Sequence, residues 1–119
     1  MSDRTDDTFY GALRNLYTSL INKFPASTIV IMTPTHRIDE NCMYNERGVC
    51  NMCNFEGYVN AIIDVAAYYG LPVLDLYRTS GMNPENETIR QKYMTDGFHP
   101  SDDGHRLIYE RLKGFLSTL

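Results

Sequence analysis

The chain has 119 residues, 43% hydrophobic and 22% charged, with 11 Lys and Arg against 15 Asp and Glu and a net charge of −4. That is the composition of an ordinary globular protein long enough for one domain with a modest core. Basic residues are scattered singly, which excludes a phosphate-neutralising stripe and with it nucleic acid as a partner; no apolar run approaches the ~20 residues of a membrane span, and the opening MSDRTDD lacks the pattern of a signal peptide, leaving the compartment open.

Phe9, Leu13, Leu16, Leu20 and Phe24 recur at helical spacing and predict a first helix, with Asp6 or Asp7 as its cap and Pro25 as its stop. Residues 28–33, Thr-Ile-Val-Ile-Met-Thr, form a short β-branched run ended by Pro34, the pattern of a strand buried on both faces of a parallel sheet. A long polar stretch follows, to about Asn54. Phe55, Val59, Ile62, Ile63, Ala66 and Tyr69 then mark a second helix, with Gly70 suited to a left-handed C-terminal cap and Pro72 preventing continuation. Val73-Leu74-Asp75-Leu76 is a second predicted strand. After another polar stretch, Ser101 is placed to cap a last helix, with Asp102 and Asp103 in its first turn and Ile108, Leu112, Phe115 and Leu116 as its apolar face.

The order α-β-α-β-α implies an α/β fold with parallel strands and a helical crossover, in which ligands sit outside the carboxyl ends of the strands. Both polar stretches leave from those ends and carry His36, the three cysteines, Asp96 and His99. Two strands alone make a poor sheet, so the chain reads as half of a doubly wound fold.

Chemistry concentrates in Tyr93–Leu107, YMTDGFHPSDDGHRL. A histidine acting as general base needs one ring nitrogen held by an acceptor, which fixes the tautomer and stabilises the imidazolium. Asp96, three residues before His99 across a turn containing Gly97, can reach back to it, and Pro100 fixes the chain as it enters the helix. The alternative is a polar turn ahead of a helix, since Asp-Gly is a common turn pair.

Asp96-Gly97-Phe98-His99-Pro100, followed by Ser101-Asp102-Asp103-Gly104-His105, resembles the last block of the SGNH (GDSL-type) esterase/acylhydrolase family. The order of the predicted elements agrees over nearly all of the chain, but only with the C-terminal half of that family's fold. The resemblance implies residues 1–119 as the C-terminal portion of a flavodoxin-like, three-layer SGNH domain. It also implies Asp96 as the orienting carboxylate and His99 as the base of a Ser-His-Asp triad that hydrolyses acyl or acetyl esters, including carbohydrate esters, without metal or other cofactor. The family's nucleophile sits in a Gly-Asp-Ser block. None of Ser2, Ser19, Ser27, Ser80, Ser101 or Ser117 lies in that setting, so the resemblance implies a nucleophile on sequence outside this chain and a chain inactive alone.

The remaining signals are weaker. His36 follows the first strand and is placed to line a substrate pocket, with Arg37 to meet an anionic substrate group; a solvated loop pair is the alternative. His105, in the first turn of the last helix, is expected to be structural and partly buried. Cys50-Asn51-Met52-Cys53 has zinc-knuckle spacing, and Cys42 with His36 would complete four ligands. A disulfide from Cys42 to Cys50 or Cys53, or free thiols, are the other readings. Tyr68 and Tyr69 are expected to face the sheet and Tyr93 to border the site. A non-catalytic α/β binding module, its cysteine loop folded around a metal or partner, is the rival to the hydrolase. A half-fold also predicts self-association through its uncovered surface.

Overall fold

The computed structural model describes residues 8–40, 43–44, 50–52 and 54–119. The elements in chain order are α1 (Phe9–Lys23), β1 (Ile31–Met32), β2 (Met43–Tyr44), β3 (Cys50–Met52), α2 (Phe55–Tyr68), β4 (Val73–Leu74), α3 (Leu76–Thr79), α4 (Glu87–Tyr93) and α5 (Asp102–Leu116). They fall into two compact units, Met1–Thr33 with Glu56–Leu74, and Pro34–Phe55 with Asp75–Leu119.

In the first unit, β1 and β4 pair in parallel, Ile31 opposite Val73 and Met32 opposite Leu74. The ladder is extended by Ile31 N–H donating to Pro72 O at 3.0 Å and Thr33 N–H to Leu74 O at 3.1 Å. Leu13 and Tyr17 from α1, Ala61, Val65 and Ala66 from α2, and Ile31 form the buried core. Thr8 caps α1 by accepting from Gly11 N–H at 3.0 Å, whereas Asp6 and Asp7 lie outside the described residues. Gly70 takes φ +70 after α2, the left-handed backbone that suits glycine after a helix end.

The first strand is two residues rather than six, and it alternates: Ile31 and Thr33 are buried while Met32 is 40% exposed. A strand with one face uncovered cannot be the doubly buried strand that its β-branched run implied. On α1, Leu13 is buried but Phe9 and Leu16 are exposed, as is Phe24 just beyond the helix, and Tyr17 takes the core position instead. Tyr68 is exposed, with the Arg14 guanidinium 4.5 Å from its ring centre.

In the second unit, the cysteine-bearing stretch forms an antiparallel pair, β2 with β3, which helical and strand periodicity did not anticipate. Leu76 starts a helix rather than ending a strand. Asp75 caps α3, its Oδ1 accepting from Arg78 N–H at 3.1 Å and its Oδ2 from Arg78 Nη1 at 2.9 Å. The polar stretch before Asp96 holds a further helix, α4, capped by Asn86 accepting from Ile89 N–H. Ser101 caps α5 as predicted, accepting from Gly104 N–H at 3.2 Å with Asp102 and Asp103 in the first turn. Leu116 of that helix is exposed and Ile108, Leu112 and Phe115 are half-buried, so its apolar face is covered only in part. His105 is exposed, not partly buried. The fold is mixed α/β with a two-stranded parallel sheet.

Candidate active site

The turn that carries Asp96 and His99 is braced at both ends by the end of α4 and the residue that caps it, Met94. Gly97 N–H donates to Met94 O at 2.7 Å, and Ser101 N–H donates to Tyr93 O at 2.7 Å. The Ser101 hydroxyl adds a bond to Lys92 O at 2.8 Å. Gly97 sits at φ +75, where a side chain is disfavoured.

Within this turn, the Asp96 carboxylate accepts three hydrogen bonds. Oδ1 takes the backbone N–H groups of Phe98 at 2.8 Å and His99 at 2.7 Å, and Oδ2 faces His99 Nδ1 at 2.8 Å. The imidazole contact is the larger cause, and the two backbone donors reinforce it: together they lower the Asp96 pKa from 3.8 to about 2. An ionised acceptor at Oδ2 keeps the proton on Nδ1 and leaves the lone pair on Nε2. Nε2 has no hydrogen-bond partner among the described residues, and the His99 side chain is 73% exposed. The structure thus brings the two side chains together at the protein surface.

His36 and Arg37 belong to the same unit and reach the turn through a neighbouring segment. Ile38 N–H donates to Gly97 O at 2.8 Å, and the Arg37 guanidinium carbon lies 4.0 Å from the Phe98 ring centre. Phe98 in turn meets the His99 ring edge-to-face at 4.4 Å. The His36 ring stacks on Tyr77 with centroids 3.7 Å apart. Its Nδ1 lies 2.8 Å from Glu40 Oε2, while Glu40 Oε1 accepts from the Tyr77 hydroxyl. His36 and Tyr77 also line a cleft of about 250 Å³, together with Met82, Ile89, Arg78, Asn83 and Asn86. Arg37 is not among the residues lining it.

Sequence reasoning misses Glu40 and Tyr77. Glu40 stands at i+4 from His36 in a polar loop, a carboxylate–imidazole spacing close to that of Asp96 and His99, and this is the available signal. Tyr77 carries none, because its segment reads as the end of a strand. The serines of this unit are committed elsewhere: Ser80 is buried with Oγ accepting from Met82 N–H, Ser101 is a helix cap, and the Ser117 hydroxyl donates to Gly114 O. Cys42 and Cys53 lie outside the described residues and Cys50 enters only through the backbone of β3, so the cysteine expectations do too.

The model of the GDSL-like lipase/acylhydrolase family matches residues 1–107. A crystal structure of a protein from Lactobacillus plantarum superposes with a TM-score of 0.84 at 31% identity, over 98% of this chain and 57% of that one. A second crystal structure gives 0.79 at 30% identity, over 93% of this chain and 52% of the other. The chain therefore spans little more than half the length of these structures. No curated protein matches it.

Proposed function

Because the chain belongs to the GDSL-like lipase/acylhydrolase family, we propose that it contributes the acid–base half of a serine ester hydrolase. In this reading residues 1–119 form the C-terminal portion of a three-layer, flavodoxin-like domain. The nucleophilic serine is supplied by sequence outside them, in keeping with the span of about half of each matching structure. The rival binding module finds no support in the family match.

The carrying observation is the 2.8 Å approach of His99 Nδ1 to Asp96 Oδ2, with Nε2 unpartnered among the described residues. His99 Nε2 takes the proton of the serine hydroxyl as its oxygen bonds to the ester carbonyl carbon. The tetrahedral adduct then collapses, the ester C–O bond breaks, and Nε2 returns the proton to the leaving alcohol. Water resolves the acyl-enzyme by the same route. Asp96 remains ionised throughout and stabilises the imidazolium.

His36 and Arg37 are the substrate-contacting residues in this proposal. The cleft beside His36 offers the carboxamides of Asn83 and Asn86, whose oxygens are occupied by the N–H groups of Glu85 and Ile89. Arg78, which also lines it, is paired with Asp75. Neutral carboxamide donors in a cleft also lined by Met82 and Ile89 suit the alcohol portion of an ester, hydroxylated like a sugar. Arg37, beside Phe98, is the cation available to an anionic substrate group.

The test compares this chain with a product extended upstream to include a Gly-Asp-Ser block. The extended protein is expected to hydrolyse p-nitrophenyl acetate and to lose about 10²–10⁴-fold in kcat on His99→Ala. The 119-residue chain alone is expected to show no turnover above background. Turnover by the chain alone that disappears on His99→Ala, or an extended enzyme indifferent to that change, would overturn the reading.

A further inference from the structure

Glu40 stands at the centre of a polar knot that holds the segment beside the Asp96–His99 turn. Its Oε2 faces His36 Nδ1 at 2.8 Å and accepts from Arg37 N–H at 3.4 Å, and its Oε1 accepts from the Tyr77 hydroxyl. Its side chain is only 13% exposed. Asp39, just before it, sits at φ +53, a backbone region that side chains seldom occupy. The Asp39 N–H is tied to Glu85 Oε1 at 3.1 Å. A short segment in such a conformation persists where its surroundings over-determine it, and here the Glu40 carboxylate supplies most of the bonds.

The held segment makes two contacts with the turn. Ile38 binds the Gly97 carbonyl through its amide, and its side chain fills the space beside the Gly97 Cα. Arg37 covers the Phe98 ring. Gly97 and Phe98 are the two residues between Asp96 and His99. Their conformation decides whether the Asp96 carboxylate can accept from the Phe98 amide, the His99 amide and the imidazole at once.

We infer that Glu40 is a positioning residue for the Asp96–His99 pair, acting through Arg37 and Ile38 on the turn between them. The catalytic consequence rests on the reading above; the geometric one stands without it. A Glu40 that only tidies its own loop would alter stability and leave Asp96 untouched.

Carboxyl-carbon NMR titration of Asp96 in the 119-residue chain separates the two. The midpoint is expected at about 2 while the turn holds its three donors. Glu40→Ala is expected to move it back toward 3.8, the ordinary value. Glu40→Gln keeps one acceptor oxygen, for either Tyr77 or the Arg37 amide, so it is expected to restore only part of the depression. Tyr77→Phe, which removes one donor, is expected to fall between wild type and Glu40→Ala. A folded Glu40→Ala with an unmoved midpoint would overturn the inference. If Glu40→Ala does not fold, Tyr77→Phe decides: an unmoved Asp96 overturns the inference and a raised one upholds it. In the extended enzyme, Glu40→Ala should lower kcat more than it raises KM. A raised Asp96 midpoint with unchanged kcat leaves the positioning intact and counts against the hydrolase reading instead.

Discussion

The Ile38 side chain occupies the place where Gly97 would carry a Cβ: an ideal Cβ at Gly97 falls 2.6 Å from Ile38 Cγ2 and 3.0 Å from Ile38 Cβ. The two residues are also joined through the backbone, Ile38 N–H to Gly97 O at 2.8 Å. Position 97 thus excludes a side chain twice, by space and by its φ of +75.

Gly97→Ala is therefore expected to destabilise by more than backbone strain alone, which is worth about 1–3 kcal/mol. Gly70→Ala provides the comparison, since Gly70 has φ +70 but no atom within 4 Å of the place a Cβ would take. It should cost only about 1–2 kcal/mol. Urea denaturation of both variants measures the difference, and equal losses would show that Ile38 simply moves aside.

The pH behaviour of the Asp96–His99 contact follows from the direction of the Asp96 shift. Its folded pKa is depressed, so its contribution is complete above the unfolded value near 3.8 and is lost as pH falls through about 2. The carboxylate should stay ionised, and the imidazole held, throughout the neutral range. Asp96→Asn keeps an oxygen for the two amides but loses the charge facing Nδ1. In the extended enzyme it is expected to lower kcat severely, without a comparable loss of stability. A kcat within a few-fold of wild type would remove Asp96 from the mechanism.

Caps and spacing make part of this legible in advance. The Ser101 cap on Gly104, Gly70 after its helix and the Asp96–His99 approach each span no more than four residues, and local rules govern them. The strands come out shorter than their apolar runs because such a run reports apolar character and not ladder length: Ile31 and Met32 pair with Val73 and Leu74 for only two positions. Asp75 sits in an apolar run that reads as strand, yet a carboxylate able to accept from the amide three residues on favours a helix start. The Glu40–Tyr77 bond joins residues 37 apart, and nothing in periodicity announces such a contact.

Tyr17 offers a test of the first unit. It is buried in the core with its hydroxyl 3.3 Å from Ile62 O, and burial pushes its pKa from 10.0 up to about 12. A raised folded pKa means that the unfolded chain gives up this proton first, so stability should fall between about pH 10 and pH 12. Tyr17→Phe is expected to flatten that slope in alkaline denaturation. An unchanged slope would assign the alkaline loss to other tyrosines.

The junction between α4 and α5 gives a prediction about the second unit. Ser101 Oγ accepts from Gly104 N–H and donates to Lys92 O, so it caps one helix and satisfies the end of the other. Losing a helix N-cap costs about 0.5–2 kcal/mol. Ser101→Ala is expected at the top of that range, because the Lys92 carbonyl also loses its donor. Ser101→Thr should recover most of it. A loss below the range would mean that water replaces both bonds.

Self-association is the last expectation that the structure makes specific. Met32 is exposed on β1, and Phe9, Leu16 and Phe24 are exposed along and just beyond α1. Each parallel strand has a single partner among the described residues, so strand edge and apolar side chains are left uncovered in one unit. Such surface drives association between copies unless further polypeptide covers it. Sedimentation at micromolar concentration is expected to show a dimer or larger species. Met32→Lys and Leu16→Glu should each shift it toward monomer, because burying an unpaired charge in the interface opposes association. A monomeric wild-type chain would refute the expectation. A dimer indifferent to both changes would place the contact on some other surface.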